Sequence, residues 1–204
     1  MCHKERKVRR LLKKAFRLYR QTWFAAIFSL IIYVSITAFA AVTLGTPGNA
    51  LPPVAALICD ILTLVLQTVI FAVMVYRDAW AWGDRDRNAV QYGHIEKDLW
   101  RGFKIGCIAA IPSFLSFVFL IADKLFSLWE AYATVYRLLQ VAFYPVIVWT
   151  LGRTVDTVSA ALSWGGIAVS FVTVVALPVF AGVAYTLGYH QFSVGEHLVY
   201  KRKK

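Results

Sequence analysis

Charge is scarce in this sequence, and acidic charge scarcest. Only 16% of the 204 residues are Asp, Glu, Lys or Arg, against roughly 25% in an ordinary soluble domain. With 59% hydrophobic residues and a mean hydropathy of +0.61, a soluble fold of this length could not hide its apolar surface, so the chain reads as an integral membrane protein. Cysteine is also sparse. Cys2, Cys59 and Cys107 have no short pairing interval, which excludes a disulfide framework and leaves them as small apolar residues. Thr22 to Leu44 holds no charge over 23 residues, enough to cross a hydrocarbon core of ~30 Å.

Catalytic signatures are missing as well. There is no HExxH, GxSxG or Walker loop, and no paired carboxylates within a span, so no enzymatic function is expected. Asp84-Arg85-Asp86-Arg87-Asn88 opens like a calcium-binding EF-hand loop. Ala89 stands where the turn glycine belongs and Ile95 where the bidentate glutamate belongs, so the match fails. His190 and His197 are seven apart with no third ligand beside them, so neither metal nor cofactor is expected.

What charge there is lies in blocks. Nine basic residues fall between Lys4 and Arg20, six between Arg77 and Lys104, and four at Lys201 to Lys204, which leaves only Lys124, Arg137 and Arg153 elsewhere. Basic blocks beside short spans are the mark of segments retained in the cytoplasm. They account for the net charge of +11 without a nucleic-acid partner.

In chain order, residues 1–21 form a basic arm with Val8, Leu11, Leu12, Ala15, Phe16 and Tyr19 at helical spacing, suited to an anionic lipid surface. The expected lipid contacts are Arg6, Lys7, Arg9, Arg10, Lys13, Lys14 and Arg17. Two spans follow within 22–76, at 22–44 and 53–76. In the second, Ala56, Asp60, Thr63 and Gln67 recur on one helical face. A carboxylate within a span faces protein or a cavity, although Asp60 stands only ~10 Å from the outer end. Residues 77–101 are expected to be a cytoplasmic charged loop, with Asp84 to Asn88 a solvated turn and a cytoplasmic helix from near His94 leading into the third span.

That span, 102–122, carries the row Gly102, Gly106 and Ala110, with Pro112 beyond it. Ala184 and Gly188 make a second such pair at the end of the last span, 165–188. Small residues at this spacing let helices approach closely. Between these spans, 123–164 is expected outside as an interfacial or re-entrant segment. Leu125, Leu128, Trp129, Tyr132, Tyr136 and Leu139 line one face, with Lys124, Glu130 and Arg137 off it, and Val141 to Leu151 is interrupted by Pro145. Residues 189–204 close the chain as a basic cytoplasmic tail. Two basic termini on one side require an even number of crossings. The expected fold is therefore all-α: a polytopic transmembrane helical bundle of four spans in the cell membrane, with both termini cytoplasmic.

The run Gly83 to Asn88, with Tyr92-Gly93-His94-Ile95 and Arg101 to Gly106, resembles the middle loop of small uncharacterised bacterial multi-span integral membrane proteins. Gly182 to Lys201, with Leu187-Gly188-Tyr189 and Glu196 to Tyr200, is similar to their C-terminal ends. The resemblance covers about half of the chain. It implies membrane class and a bacterial source, and it brings no catalytic residue.

Two functions are compatible with these features. One is a non-enzymatic membrane or assembly subunit that contacts anionic lipid and packs, through its small-residue rows, against other subunits or a second copy. The other is a small transporter or permease component that uses the polar face of the second span, with the broken segment at Pro145 as an interrupted helix.

Overall fold

The structure is a computed structural model that describes residues 2–44, 51–129, 132–152 and 162–192, without the side chains of 2–7. The elements are α1 (Cys2–Thr43), α2 (Pro53–Gln91), α3 (Arg101–Phe126), α4 (Tyr132–Leu139), a 3-10 turn at Val141–Phe143, α5 (Tyr144–Leu151) and α6 (Trp164–Tyr189). The chain is an all-α bundle. Among the described residues, four helices, α1, α2, α3 and α6, are long and apolar enough to cross a membrane.

The basic arm and the first span are one helix. The 42 residues of α1 reach ~63 Å at 1.5 Å per residue, about twice the thickness of a bilayer core. The 39-residue α2 overshoots in the same way. Asp84 to Asn88, expected as a solvated turn, therefore lies inside α2. Alternating charges at this spacing are compatible with a helix once an aqueous face is available to them. The break comes later, at residues 92–100 with Gly93 at φ 71°, and α3 begins at Arg101 rather than near His94.

Part of the arm's apolar face is covered by protein: Ala15 and Leu18 join Val75 and Trp82 of α2 in the core, with Leu11 and Tyr19 packed against it, while Val8, Leu12 and Phe16 of the same stripe stay exposed. Lipid-exposed positions carry large apolar side chains, such as Ile27, Ile31, Val65, Val69, Leu115 and Val172.

Helix α6 is the centre of the bundle, with α2 on one side and α3 on the other. The small residues expected to serve a helix partner are used here, inside the chain. A Cβ on Gly188 would fall 2.1 Å from the Trp80 carbonyl oxygen of α2, and one on Gly83 2.1 Å from that of Tyr185. Gly102 lies against Tyr185 and Gly106 against Pro178. Ala110 and Ala184 are buried. Pro112 and Pro178 both sit within continuous helices.

Residues 125–139, expected to share one apolar helical face, are divided. α3 ends where Ser127 turns to φ 49°, and α4 begins at Tyr132. Tyr132, Tyr136 and Arg137 are buried, whereas Leu125, Leu128, Trp129 and Leu139 are exposed. α4 and α5 meet at a bend of 74°. Each has eight residues, or ~12 Å, less than half of a ~30 Å core.

Both ends of this pair lie at the same end of the bundle. The Tyr132 hydroxyl donates to the Ser116 carbonyl in the outgoing half of α3 at 2.9 Å. At the other end of the pair, Thr150 abuts Gly166 at the start of α6. The bend between them reaches inward, where Phe143 meets Phe71 of α2, ring centroids 4.9 Å apart. The arrangement is that of a re-entrant pair between four spans, with the arm of α1 and the last turns of α6 at one common end.

Candidate functional site

The polar face of the second span points into the protein. Asp60 is 1% exposed, and Thr63 and Gln67 are fully buried. Three consecutive turns of α2 thus present polar groups to a seam walled by α1 and α5. From α5, the Trp149 indole N–H donates to the Asp60 carboxylate (Oδ2) at 2.9 Å. Facing Gln67 is Ser29 of α1, also fully buried, whose carbonyl accepts from Gln67 Nε2 at 3.1 Å. Tyr33 and Tyr144 pack edge to face beside them, centroids 4.8 Å apart. Such burial is costly for polar groups within a membrane unless they find partners. Among the described residues, Ser29 Oγ, Thr63 Oγ1 and Gln67 Oε1 make no hydrogen bond.

An aromatic plug closes the seam one turn beyond Gln67. Phe71 contacts Phe143 from the bend and Phe180 of α6 at 5.5 Å. Phe71 and Phe143 also form one wall of a cavity of about 60 Å³ between α1, α3, α6 and the bend, whose polar lining includes Thr22, Ser113, Gln140 and Thr173. That is room for a few waters, given the ~10–15 Å³ one water requires. Gln140, 4% exposed, accepts from Thr173 at 3.5 Å. Its Nε2 has no hydrogen-bond partner among the described residues.

Past the plug, two carboxylates tie the charged end together. Asp78 accepts from Arg17 Nη2 at 2.9 Å and from Gln21 at 2.7 Å, joining α1 to α2. Asp86 pairs with Arg101 of α3 at 3.0 Å, accepts from the Tyr185 hydroxyl of α6 at 2.9 Å, and lies 3.8 Å from Lys14. Lys14, in the arm, also rests over the Trp82 ring. Partial burial lowers its ammonium below the ordinary lysine value. Asp86 opposes this shift, and Arg101 and Arg85 reinforce it. Of the seven expected lipid contacts, Lys14 and Arg17 therefore engage carboxylates within the protein. Arg9, Arg10 and Lys13 are exposed, and the side chains of Arg6 and Lys7 lie outside the described residues.

At the opposite end, hydrogen bonds latch the re-entrant pair to α3 and α6. Tyr136 donates to Ser170 at 3.3 Å, Arg137 to the Leu151 carbonyl at 2.8 Å, and Lys124 to the Leu162 carbonyl. The buried Asp123 accepts from the Trp129 backbone N–H at 2.6 Å. Arg137, expected off the apolar face, is thus 4% exposed.

Several of these groups had a signal in the sequence. Continuing the face of Asp60, Thr63 and Gln67 by threes and fours reaches Phe71, Asp78 and Trp82. Extending the helical period past Tyr76 would therefore have found Asp78. Ser29 and Trp149 carry no such signal, because their role depends on how α1 and α5 pack. Among the described residues, no three His, Cys, Asp or Glu side chains form a metal-binding group, and His197 lies outside them. No protein-family model matches the chain, and no significant match is found among curated proteins or solved structures.

Proposed function

We propose that this protein is a small, non-enzymatic transporter or permease component of a bacterial cell membrane, which passes a small polar or charged solute along the α2 seam. The observation that carries the reading is the burial of Asp60, Thr63, Gln67 and Ser29 together, with three of their oxygens making no hydrogen bond among the described residues. A protein that only packs against others has no need of such a seam. The re-entrant pair, with Trp149 over Asp60, supplies the interrupted helix that often lines transport sites. The plug of Phe71, Phe143 and Phe180 would separate the seam from the charged end. By the basic-residue rule the charged end, with both termini, is cytoplasmic, so the seam is approached from outside.

The assembly-subunit reading rests on small-residue rows and a basic arm. Gly102, Gly106, Ala110, Ala184 and Gly188 are occupied in packing the chain's own helices, and part of the apolar stripe of the arm, around Ala15 and Leu18, is covered within the protein. That leaves fewer features for a partner subunit or a second copy. Contact with anionic lipid remains part of the proposal through Arg9, Arg10 and Lys13, with no nucleic-acid partner.

The test is reconstitution. Purified protein in liposomes should raise uptake of radioactive alkali cations or small polar solutes above that of protein-free liposomes. Asp60→Asn should insert normally and lower the flux, and the lipid-facing Val65→Leu should leave it unchanged. If no solute moves faster than in protein-free liposomes, the transport reading fails and the assembly subunit takes its place.

A further inference from the structure

The cavity between α1, α3, α6 and the bend is uncharged: no Asp, Glu, Lys or Arg is among the described residues that line it. Its hydrogen-bonding groups are lopsided. Gln140 is 4% exposed, and its Nε2 is a donor with no partner among the described residues. The hydroxyls have the opposite need. Thr22 donates its proton to the Tyr19 carbonyl at 2.6 Å, and Thr173 donates to the Ser170 carbonyl at 2.7 Å, with Gln140 Oε1 further off at 3.5 Å. Each keeps a lone pair to accept with and has no second proton to give. Phe71, Phe143, Val174 and Leu177 supply apolar wall. The wall also includes Trp23 and Leu139, each 40% exposed, and the exposed Pro112. These three stand on α1, α4 and α3, within the apolar part of the bundle, so the cavity is reached from the lipid.

We propose that this cavity binds a small uncharged alcohol that enters from the bilayer, with its hydroxyl at Gln140 and its alkyl chain against the aromatic wall. A hydroxyl group accepts from Gln140 Nε2 and donates to a threonine oxygen, which answers both needs with one group. An ion is disfavoured, because nothing in the lining balances a charge. Size sets the class further. At the ~10–15 Å³ that one water requires, about 60 Å³ holds roughly four to six non-hydrogen atoms. Water meets the same polar groups, but it leaves the faces of Phe71, Phe143 and Leu177 wetted, whereas a short alkyl chain covers them. None of Ser29, Asp60, Thr63 or Gln67 lines the cavity, so this inference goes beyond the transport reading and does not rest on it.

The experiment uses the full-length protein in lipid nanodiscs. A diazirine analogue of butanol is photoactivated there, and the labelled residues are located by peptide mass spectrometry. Labelling within the cavity-lining stretches 19–26 and 139–143 is expected to saturate and to be displaced by unlabelled n-butanol. Diethyl ether is an isomer of butanol that accepts a hydrogen bond but cannot donate one. It should need about tenfold more for the same displacement, the scale of one lost hydrogen bond. Gln140→Leu should weaken labelling about tenfold as well. Ser113→Leu gives a second reading, because the half-buried Ser113 lines the cavity and the larger side chain fills it. Labelling should then be lost while stability in an SDS titration holds or rises. Labelling that does not saturate, or that falls only on lipid-facing positions such as Leu115, overturns the site. So does equal displacement by diethyl ether and butanol, or saturable labelling unchanged in both variants. The ether comparison needs no substitution, and it decides the outcome if either variant fails to fold.

Discussion

Alanine at Gly83 should loosen the bundle, because two backbones occupy the space its methyl group requires. The added Cβ would lie 2.1 Å from the Tyr185 carbonyl oxygen and 2.7 Å from the Tyr189 nitrogen, about 1.4 Å and 0.8 Å inside the ~3.5 Å at which such atoms rest. Neither neighbour is a flexible side-chain tip, so α2 and α6 must separate. Overpacking costs about 1–3 kcal/mol where side chains can give way, and a backbone clash belongs at the upper end, about 3 kcal/mol. Gly188→Ala meets the Trp80 backbone at the same crossing and should cost as much. The double variant should cost clearly less than the sum, because one separation of about 1 Å accommodates both methyl groups; neighbours that share a backbone shift couple in this way. Gly165→Ala is the control. Nothing lies within 4 Å of its Cβ, and alanine is the better helix former, so stability should hold or rise slightly. The assay is unfolding in mixed micelles with rising SDS, followed by tryptophan fluorescence. A neutral Gly83→Ala, or strict additivity with Gly188→Ala, would refute the close crossing of α2 and α6.

Two further predictions concern the charged end and the topology. Arg17→Ala should destabilise more than Asp78→Asn, because it leaves a carboxylate that is 7% exposed with only the neutral Gln21 amide and the Arg77 guanidinium at 3.9 Å, whereas the Arg17 side chain, 52% exposed, can be solvated when its partner goes. The exposure of Arg17 keeps the pair at about 1–2 kcal/mol, and equal effects in the same SDS titration would contradict the burial of Asp78. In intact cells, cysteines introduced at the exposed Ser127 and Ser163 should both react with an impermeant maleimide, and native Cys2 only after permeabilisation. Labelling at Ser127 with protection at Ser163 would mean that α4 and α5 together cross the membrane.

Much of this fold was legible in the sequence, because spans are long uninterrupted apolar runs and basic blocks mark their flanks. The last span, expected at 165–188, is observed at Trp164–Tyr189. The ends of α1 and α2 were harder to read. Hydropathy falls where a helix leaves the lipid, yet the backbone need not break there, so α2 continues to Gln91 through a stretch that composition alone suggests is a loop. The polar face of Asp60, Thr63 and Gln67 was visible from its spacing, but its surroundings were not. Ser29 and Trp149 reach it through contacts 38 and 89 residues apart, which no local pattern encodes. The small-residue rows showed that helices would approach closely without showing which helices, and here the partners are in the same chain.

Whether water reaches the α2 seam is the most direct test of the transport account. With Cys2, Cys59 and Cys107 replaced by alanine, Thr63→Cys places a single thiol in the seam, and Leu62→Cys places one toward lipid, where Leu62 is 49% exposed. A small, cationic, membrane-impermeant methanethiosulfonate is applied to intact cells. The account predicts that Thr63→Cys reacts from outside, faster than Leu62→Cys, and that Val75→Cys, beyond the aromatic plug, does not react. If Thr63→Cys is as inert as Leu62→Cys from both sides of the membrane, the seam is dry packing and no solute passes along it.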